Sequence, residues 1–349
     1  MRTFFDQFGA KYSPDGKRIS FLSNHPNRGD KVALAIFNAT TGSKELEWIF
    51  EIGESFEMEK AQFSHDGKKV ISLAAGIDDL DDGIRILDAE TGEQLFHLGR
   101  GNASTFFDFD LSMVDFHLLA VAYSPGGTTI KIWNYMTSDL LLCHELDGGP
   151  LRFARFSPDG QSFLLADDDL RPAVILDVLT GDEKLRLDEG YNEGAFSPCG
   201  TKLILLSDEG DLWDTSTGDK IFGFGPATAA GFSPDGKIVF TASTCDHQLR
   251  LWDAVSGEIL HEFKGGMPAF SLDGKFLATC EDHRVKIRLL ESGEVVRELE
   301  FPESSVTSVR FRPDGKQVLV ESRRHYERLA YHGVLISGYL PSSFTYDLS

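Results

Sequence analysis

"GFSPDGK", Gly231–Lys237, is the stretch whose reading decides the fold, because the chain keeps returning to it. A near-copy, "RFSPDGQ", stands at Arg155–Gln161. In Ser-Pro-Asp-Gly the proline presets φ for the second position of a turn. The aspartate can hydrogen-bond its own backbone, and the glycine accepts a positive φ. Strand-like apolar runs lie on both sides, so the motif reads as a hairpin connection. Its recurrence makes it a building unit rather than a chemical site.

The aromatic residue that opens the motif falls at Tyr12, Phe63, Phe156, Phe196, Phe232, Phe270 and Phe311. The steps run from 36 to 51 residues, apart from one of 93 that spans two units. The missing motif belongs in "FDFDLSMVDFHLLAVAY", Phe107–Tyr123, where it has decayed. A second marker follows each turn by about 20 residues, an apolar strand ending in a D-x-x-[ST]-G-like turn, as in "ILDAETG", "IWNYMTS", "ILDVLTG", "LWDTSTG" and "LWDAVSG". This marker includes the third unit, and the start at "FRPDG", Phe311–Gly315, adds an eighth.

Within the sixth unit the chain reads "TAAGFS", turn, "KIVFTAS", loop, "LRLWD", turn, "EILHEF". These are four short runs rich in β-branched and aromatic residues, and no window sustains a 3.6-residue apolar period. An isolated four-stranded sheet cannot bury both faces, whereas radial stacking of such sheets does. The expected fold is therefore an all-β β-propeller of eight four-stranded antiparallel blades. Seven is the alternative if the two termini together make only one blade. Residues 1–349 are expected to form a single domain closed by its terminal segments. "MRTFF", Met1–Phe5, or the final "SSFTYDLS" would supply the closing strand.

Units two to seven resemble WD40 repeats, the sixth most of all in "TASTCDHQLRLWD". In that family an aspartate six residues before the tryptophan position sits in the loop between the second and third strands. There it caps a structural hydrogen-bond network with the tryptophan. The resemblance implies this role for Asp81, Asp246 and Asp282, which precede Leu87, Trp252 and Arg288 at that spacing. The Gly-His pair usual before the first strand is absent, and tryptophan is kept in three units only. The first unit looks closer to propellers of the TolB type.

The 349 residues carry 34 basic and 55 acidic side chains, a net charge of −21. Such a field disfavours nucleic acid and anionic lipid, which are bound through Lys and Arg. The four cysteines show no framework spacing, and no apolar run nears the roughly 20 residues of a membrane span. A reduced, cytoplasmic, monomeric protein is expected, with no cofactor.

The loops "TCDH" and "TCEDH" place Cys245, His247, Cys280 and His283 near one another in adjacent units. Cysteine and histidine are zinc ligands. Exposed histidines and free thiols are the simpler reading, and no metal is expected. The acidic loops around Asp78–Asp82 and Asp167–Asp169 lack the order of a calcium loop and read as solvated turns. "SRRHYERLAYH", Ser322–His332, is a basic and aromatic island in an acidic chain. Arg323, Arg324, His325, Tyr326, Arg328 and Tyr331 are accordingly candidates for partner contact. By position they belong to the loop between the second and third strands of the last unit. No nucleophile elbow, zinc-protease, Walker or dinucleotide motif occurs. The resemblance implies a non-catalytic scaffold that binds a protein or peptide, and the charge points to a basic one. An enzyme or small-ligand propeller with a site at the channel mouth is the alternative.

Overall fold

The computed structural model describes residues 10–24, 31–51, 58–74, 83–99, 105–124, 127–146, 151, 153–166, 172–187, 190–243, 246–266, 268–302, 305–329 and 335–347. Every regular element among them is a strand. The strands form eight consecutive sheets. The first three comprise β1 (Lys11–Tyr12), β2 (Arg18–Asn24), β3 (Lys31–Asn38) and β4 (Lys44–Glu51); β5 (Met58–Phe63), β6 (Lys69–Ala74), β7 (Gly83–Asp88) and β8 (Gln94–Gly99); β9 (Thr105–Leu111), β10 (His117–Ser124), β11 (Gly127–Asn134) and β12 (Asp139–Leu146). The fourth and fifth contain β13 (Phe153–Phe156), β14 (Ser162–Ala166), β15 (Ala173–Asp177) and β16 (Glu183–Leu187); β17 (Glu193–Phe196), β18 (Lys202–Leu206), β19 (Gly210–Asp214) and β20 (Lys220–Gly225). The sixth and seventh contain β21 (Ala229–Phe232), β22 (Ile238–Ala242), β23 (Gln248–Asp253) and β24 (Ile259–Lys264); β25 (Ala269–Phe270), β26 (Phe276–Glu281), β27 (Arg284–Leu289) and β28 (Val295–Glu300). The last is β29 (Ser305–Phe311), β30 (Gln317–Leu329) and β31 (Leu335–Asp347).

Sequence neighbours pair antiparallel, as the short turns between them demand. The second strand of a sheet is apolar on both faces: "FLLA" in β14, "LILL" in β18 and "VFTA" in β22 are buried throughout. A strand covered on both faces has no reason to alternate. The fourth strand is the outer edge, and β24 and β28 are largely exposed.

The chain falls into two compact units, one of residues 1–8 and 13–226, the other of residues 9–12 and 227–349. In the first, each apolar cluster is shared by consecutive sheets. Phe109 and Trp133 of the third sheet pack with Ile71 and Ile86 of the second. Leu119 and Ile132 of the third pack with Phe163 and Leu165 of the fourth. In the second unit Ala278 and Ile287 of the seventh sheet pack with Val309, Val318 and Val320 of the eighth. Each large side chain buried this way contributes about 1.5–3 kcal/mol.

Seven sheets have four strands and the eighth has three, so the expectation of eight four-stranded blades is met seven times. The reason is local. β30 and β31 are each 13 residues long and pair along their whole length, from Gln317↔Asp347 to Leu329↔Leu335. Residues expected to form a loop and a further strand are spent on one long hairpin. The C-terminal "SSFTYD" pairs with β30 in that sheet, with Val318 opposite Tyr346. Met1–Phe5 lies outside the described residues.

Candidate functional site

The repeated turn is built the same way wherever its motif survives. In the sixth sheet Ser233 Oγ donates to Asp235 Oδ1 at 2.7 Å, and that oxygen accepts the Lys237 amide at 3.2 Å. The Ile238 amide returns to Ser233 Oγ at 3.0 Å, and Gly236 takes a φ of 70°. The same serine–aspartate bond recurs at Ser13–Asp15, Ser64–Asp66, Ser157–Asp159 and Ser271–Asp273. Burial would raise the Asp235 carboxyl, but the Ser233 hydroxyl and the Lys237 amide outweigh it and hold it below the usual range. The second turn of the sheet is closed likewise, with Asp253 Oδ1 accepting the amides of Val255 and Ser256 at 2.9 and 2.7 Å. These groups are occupied with backbone geometry.

The third sheet departs from this pattern. Between β9 and β10, "SMVDF" replaces Ser-Pro-Asp-Gly-Lys. Ser112 keeps the turn, its Oγ accepting the amides of Val114 and Asp115 at 3.4 and 3.2 Å. The freed positions are apolar and face water: Met113 is 52% exposed, Val114 58% and Phe116 43%. The neighbouring turn adds Met136 at 50%. The two turns are tied together, since the Tyr135 amide donates to the Phe116 carbonyl at 2.8 Å and the two rings meet edge to face at 5.7 Å. On the other side, a Cβ placed on Gly160 would lie 2.8 Å from Val114 Cγ2, so glycine admits the valine there. Four large apolar side chains thus gather on two linked turns of one sheet. Exposed apolar clusters of this kind mark interaction sites, and methionine adapts its shape to different partners.

The sixth sheet also holds the pairing that connects the chain to known proteins. Trp252 Nε1 on β23 donates to Thr241 Oγ1 on β22 at 2.9 Å. In the fifth sheet Leu205 takes the threonine's register position, and Trp213 Nε1 has no partner among the described residues. A family model described as "WD domain, G-beta repeat" matches residues 222–253, which contain the Trp252–Thr241 pair. Residues 222–253 are thus a WD40-type repeat.

An uncharacterized WD repeat-containing protein of Synechocystis is 32% identical over 107 residues, covering 29% of this chain and 30% of that protein. Human apoptotic protease-activating factor 1 is 27% identical over 221 residues, covering 58% of this chain and 16% of its own. The chain therefore spans less than a third of the length of either relative. Among solved structures, the Cps50 (Swd1) β-propeller domain of Myceliophteria thermophila superposes with a TM-score of 0.52 at 17% identity, over 74% of this chain and 91% of that one. The likeness is one of fold.

The residues singled out in the sequence lie as follows. Asp246 is exposed, accepts the Gln248 amide at 3.0 Å and pairs with Arg250 at 2.7 Å. Asp282 is the first residue of the tight turn between β26 and β27, with a φ of 47°, and its carbonyl accepts the Val306 amide. Arg288, at the tryptophan position of the seventh sheet, stacks 4.4 Å from the Phe263 ring centroid. Asp81, Cys245 and the acidic loops Asp78–Asp82 and Asp167–Asp169 lie outside the described residues. Cys280 is buried in the core of the seventh and eighth sheets, and burial pushes its thiol up to about 12. A neutral, enclosed thiol makes a poor metal ligand. His247 and His283 are exposed, and among the described residues no three His, Cys, Asp or Glu side chains come together.

Arg323, Arg324, His325, Tyr326 and Arg328 lie on β30, whose backbone is described and is a paired strand rather than the expected loop. Tyr331 lies outside the described residues.

Two features were missed in the sequence. Arg155 on β13 is held by the Asp108 carboxylate on β9, and the charges of Asp108, Asp110 and Glu193 outweigh burial to raise its pKa. Ion pairing between first strands leaves no short-range signature in sequence. Cys199 stands in the fifth "SPCG" turn where the other copies have aspartate, 3.5 Å from Ser197 Oγ and 3.0 Å from Thr201 Oγ1. The Ser197 and Thr201 hydroxyls, with the Thr201 amide, lower this exposed thiol to about 7. The substitution was visible in the motif itself.

Proposed function

We infer that the chain is a non-catalytic interaction scaffold that holds a protein or peptide partner against the turns of the third sheet. The observation that supports this reading is the exposed set Met113, Val114, Phe116 and Met136, at the place where the repeated turn motif is replaced. WD40 propellers as a class mediate protein–protein contacts. The partner proposed is basic and apolar-tipped. The apolar turns are edged by Asp115 and Asp139, and the protein carries a net charge of −21, which speeds encounter with a cation and repels nucleic acid and anionic membranes. A monomer in the cytoplasm belongs to the same reading. Arg323, Arg324 and Arg328 on β30 form a second proposed contact.

The test is affinity capture from native lysate with three baits: the wild type, Met113→Ser/Val114→Ser/Met136→Ser, and Arg323→Ala/Arg324→Ala/Arg328→Ala. Recovery of the wild-type partner is expected to fall at least tenfold with the first variant. Equal recovery by that variant, with an unchanged melting temperature, would remove the third-sheet turns from consideration.

A further inference from the structure

A cavity of about 420 Å³ lies in the second compact unit, where three first strands come together. Lys11 and Tyr12 of β1 line it, with Phe270 of β25 and Arg310 and Phe311 of β29. Its size falls within the roughly 300–1,000 Å³ usual for small-ligand sites. The polar groups are of one kind. Lys11 and Arg310 are cations in a chain with a large excess of acid, and Tyr12 adds a hydroxyl.

The Tyr12 hydroxyl is buried and has no hydrogen-bond partner among the described residues. A buried hydroxyl left unpaired is costly, so such a group in a cavity wall marks a place for a ligand atom. Burial pushes Tyr12 up to about 12, against the pull of the Arg312 guanidinium, so it keeps its proton at neutral pH and can donate. The Asp314 carboxylate, close enough to Tyr12 to help raise it, is paired with Arg312 at 3.4 Å. Lys11, Arg310 and Tyr12 line a space whose remaining wall is aromatic and aliphatic, including the Phe270 and Phe311 rings.

We propose that this cavity binds a carboxylate carried on an aromatic or aliphatic body, with Arg310 and Lys11 neutralising the charge, Tyr12 donating to one oxygen, and Phe270 and Phe311 covering the apolar part. Arginine suits the role because its fork matches the two carboxylate oxygens. The carboxylate can come from a free organic acid or from the C-terminus of a peptide.

The experiment uses the full chain and two pairs of probes followed by calorimetry and ligand-observed NMR: benzoate with benzamide, and acetyl-Gly-Gly-Phe with its C-terminal amide. Each acid is expected to bind about tenfold or more tightly than its uncharged partner, as loss of a charge-assisted contact implies. Arg310→Gln should weaken the acids at least tenfold and Tyr12→Phe a few-fold. Tyr12→Phe removes a hydroxyl that has no hydrogen-bond partner among the described residues, so its melting temperature should not fall, and this variant stays informative if Arg310→Gln is poorly folded. Binding of benzoate assigns the site to free acids; binding of the peptide acid alone assigns it to chain termini. Failure of both acids to bind, equal binding of acids and amides, or acid binding untouched by Tyr12→Phe would each overturn the proposal. None of these outcomes depends on the third-sheet turns.

Discussion

The third and sixth sheets have the same strand order and opposite relations to the repeat. In the sixth, the polar groups of the motif are engaged within the sheet: Asp235 and Asp253 close the two turns and Trp252 is tied to Thr241. In the third, Ser112 alone holds the first turn, and the vacated positions are given to Met113, Val114 and Phe116. Its strands have not weakened in step. Phe109, Leu118 and Ile132 are fully buried. The packing between sheets carries the fold, and the turn motif is a local refinement that one sheet can surrender. What it surrenders becomes available for contact.

The hardest test of this separation is Phe109→Ala, which leaves the exposed turn alone and empties the core beneath it. A fully buried phenylalanine should cost about 3–5 kcal/mol, read as a shift in the denaturation midpoint at constant slope. A loss below about 1 kcal/mol would mean that the turns hold the third sheet after all.

Next comes the matched pair Asp235→Ala and Asp115→Ala. Asp235 accepts a hydroxyl and an amide, and its loss should cost about 1 kcal/mol, whereas Asp115→Ala should stay within about 0.5 kcal/mol. The pH dependence follows from the same contacts. Asp15, Asp66, Asp159, Asp235 and Asp273 all have carboxyls held below the ordinary value of 3.8. A depressed folded-state pKa contributes stability above the unfolded value, and that contribution is lost as pH falls through the folded one. Acid destabilisation below about pH 4 should be shallower in Asp235→Asn than in the wild type. Identical acid limbs would detach these turns from the fold's acid sensitivity.

The smallest effect concerns the fifth sheet, which stands between the two extremes with one motif residue changed. Cys199 should alkylate with a midpoint near its pKa of about 7, while native Cys280, buried and raised to about 12, should not react. Cys199→Asp restores the motif and should add a few tenths of a kcal/mol. A Cys199 profile centred near an ordinary thiol value would show that its hydroxyl neighbours do not stabilise the thiolate.

The sheets were legible because their signals are local. A turn within six residues and a strand of five announce themselves, as "FSPDGKIVFTA" does. The third unit was found by spacing and by its second-marker strand "IWNYMTS", and neither says which side chains of its first turn would face water. The cavity was not legible, since Lys11 and Arg310 are 299 positions apart and only the folded arrangement puts them on one wall. The long last hairpin was misread because "SRRHYERL" was placed by its position in the repeat, where the other units have a loop, and the spacing does not show that β30 runs on.

That hairpin has a further consequence. β29 pairs with β30 only as far as Arg323, so from Arg324 to Leu329 the described partner of β30 is β31 alone. Among the described residues that stretch is a two-stranded ribbon with no third strand paired to it. Pro341 on β31, opposite Arg323, has no amide to offer at all. An uncharged ribbon of this length would be a template on which copies of the chain could stack into fibres. Three arginines on one strand make that stacking a meeting of like charges. The residues proposed as a second contact would then also oppose the pairing of one copy of the ribbon with another.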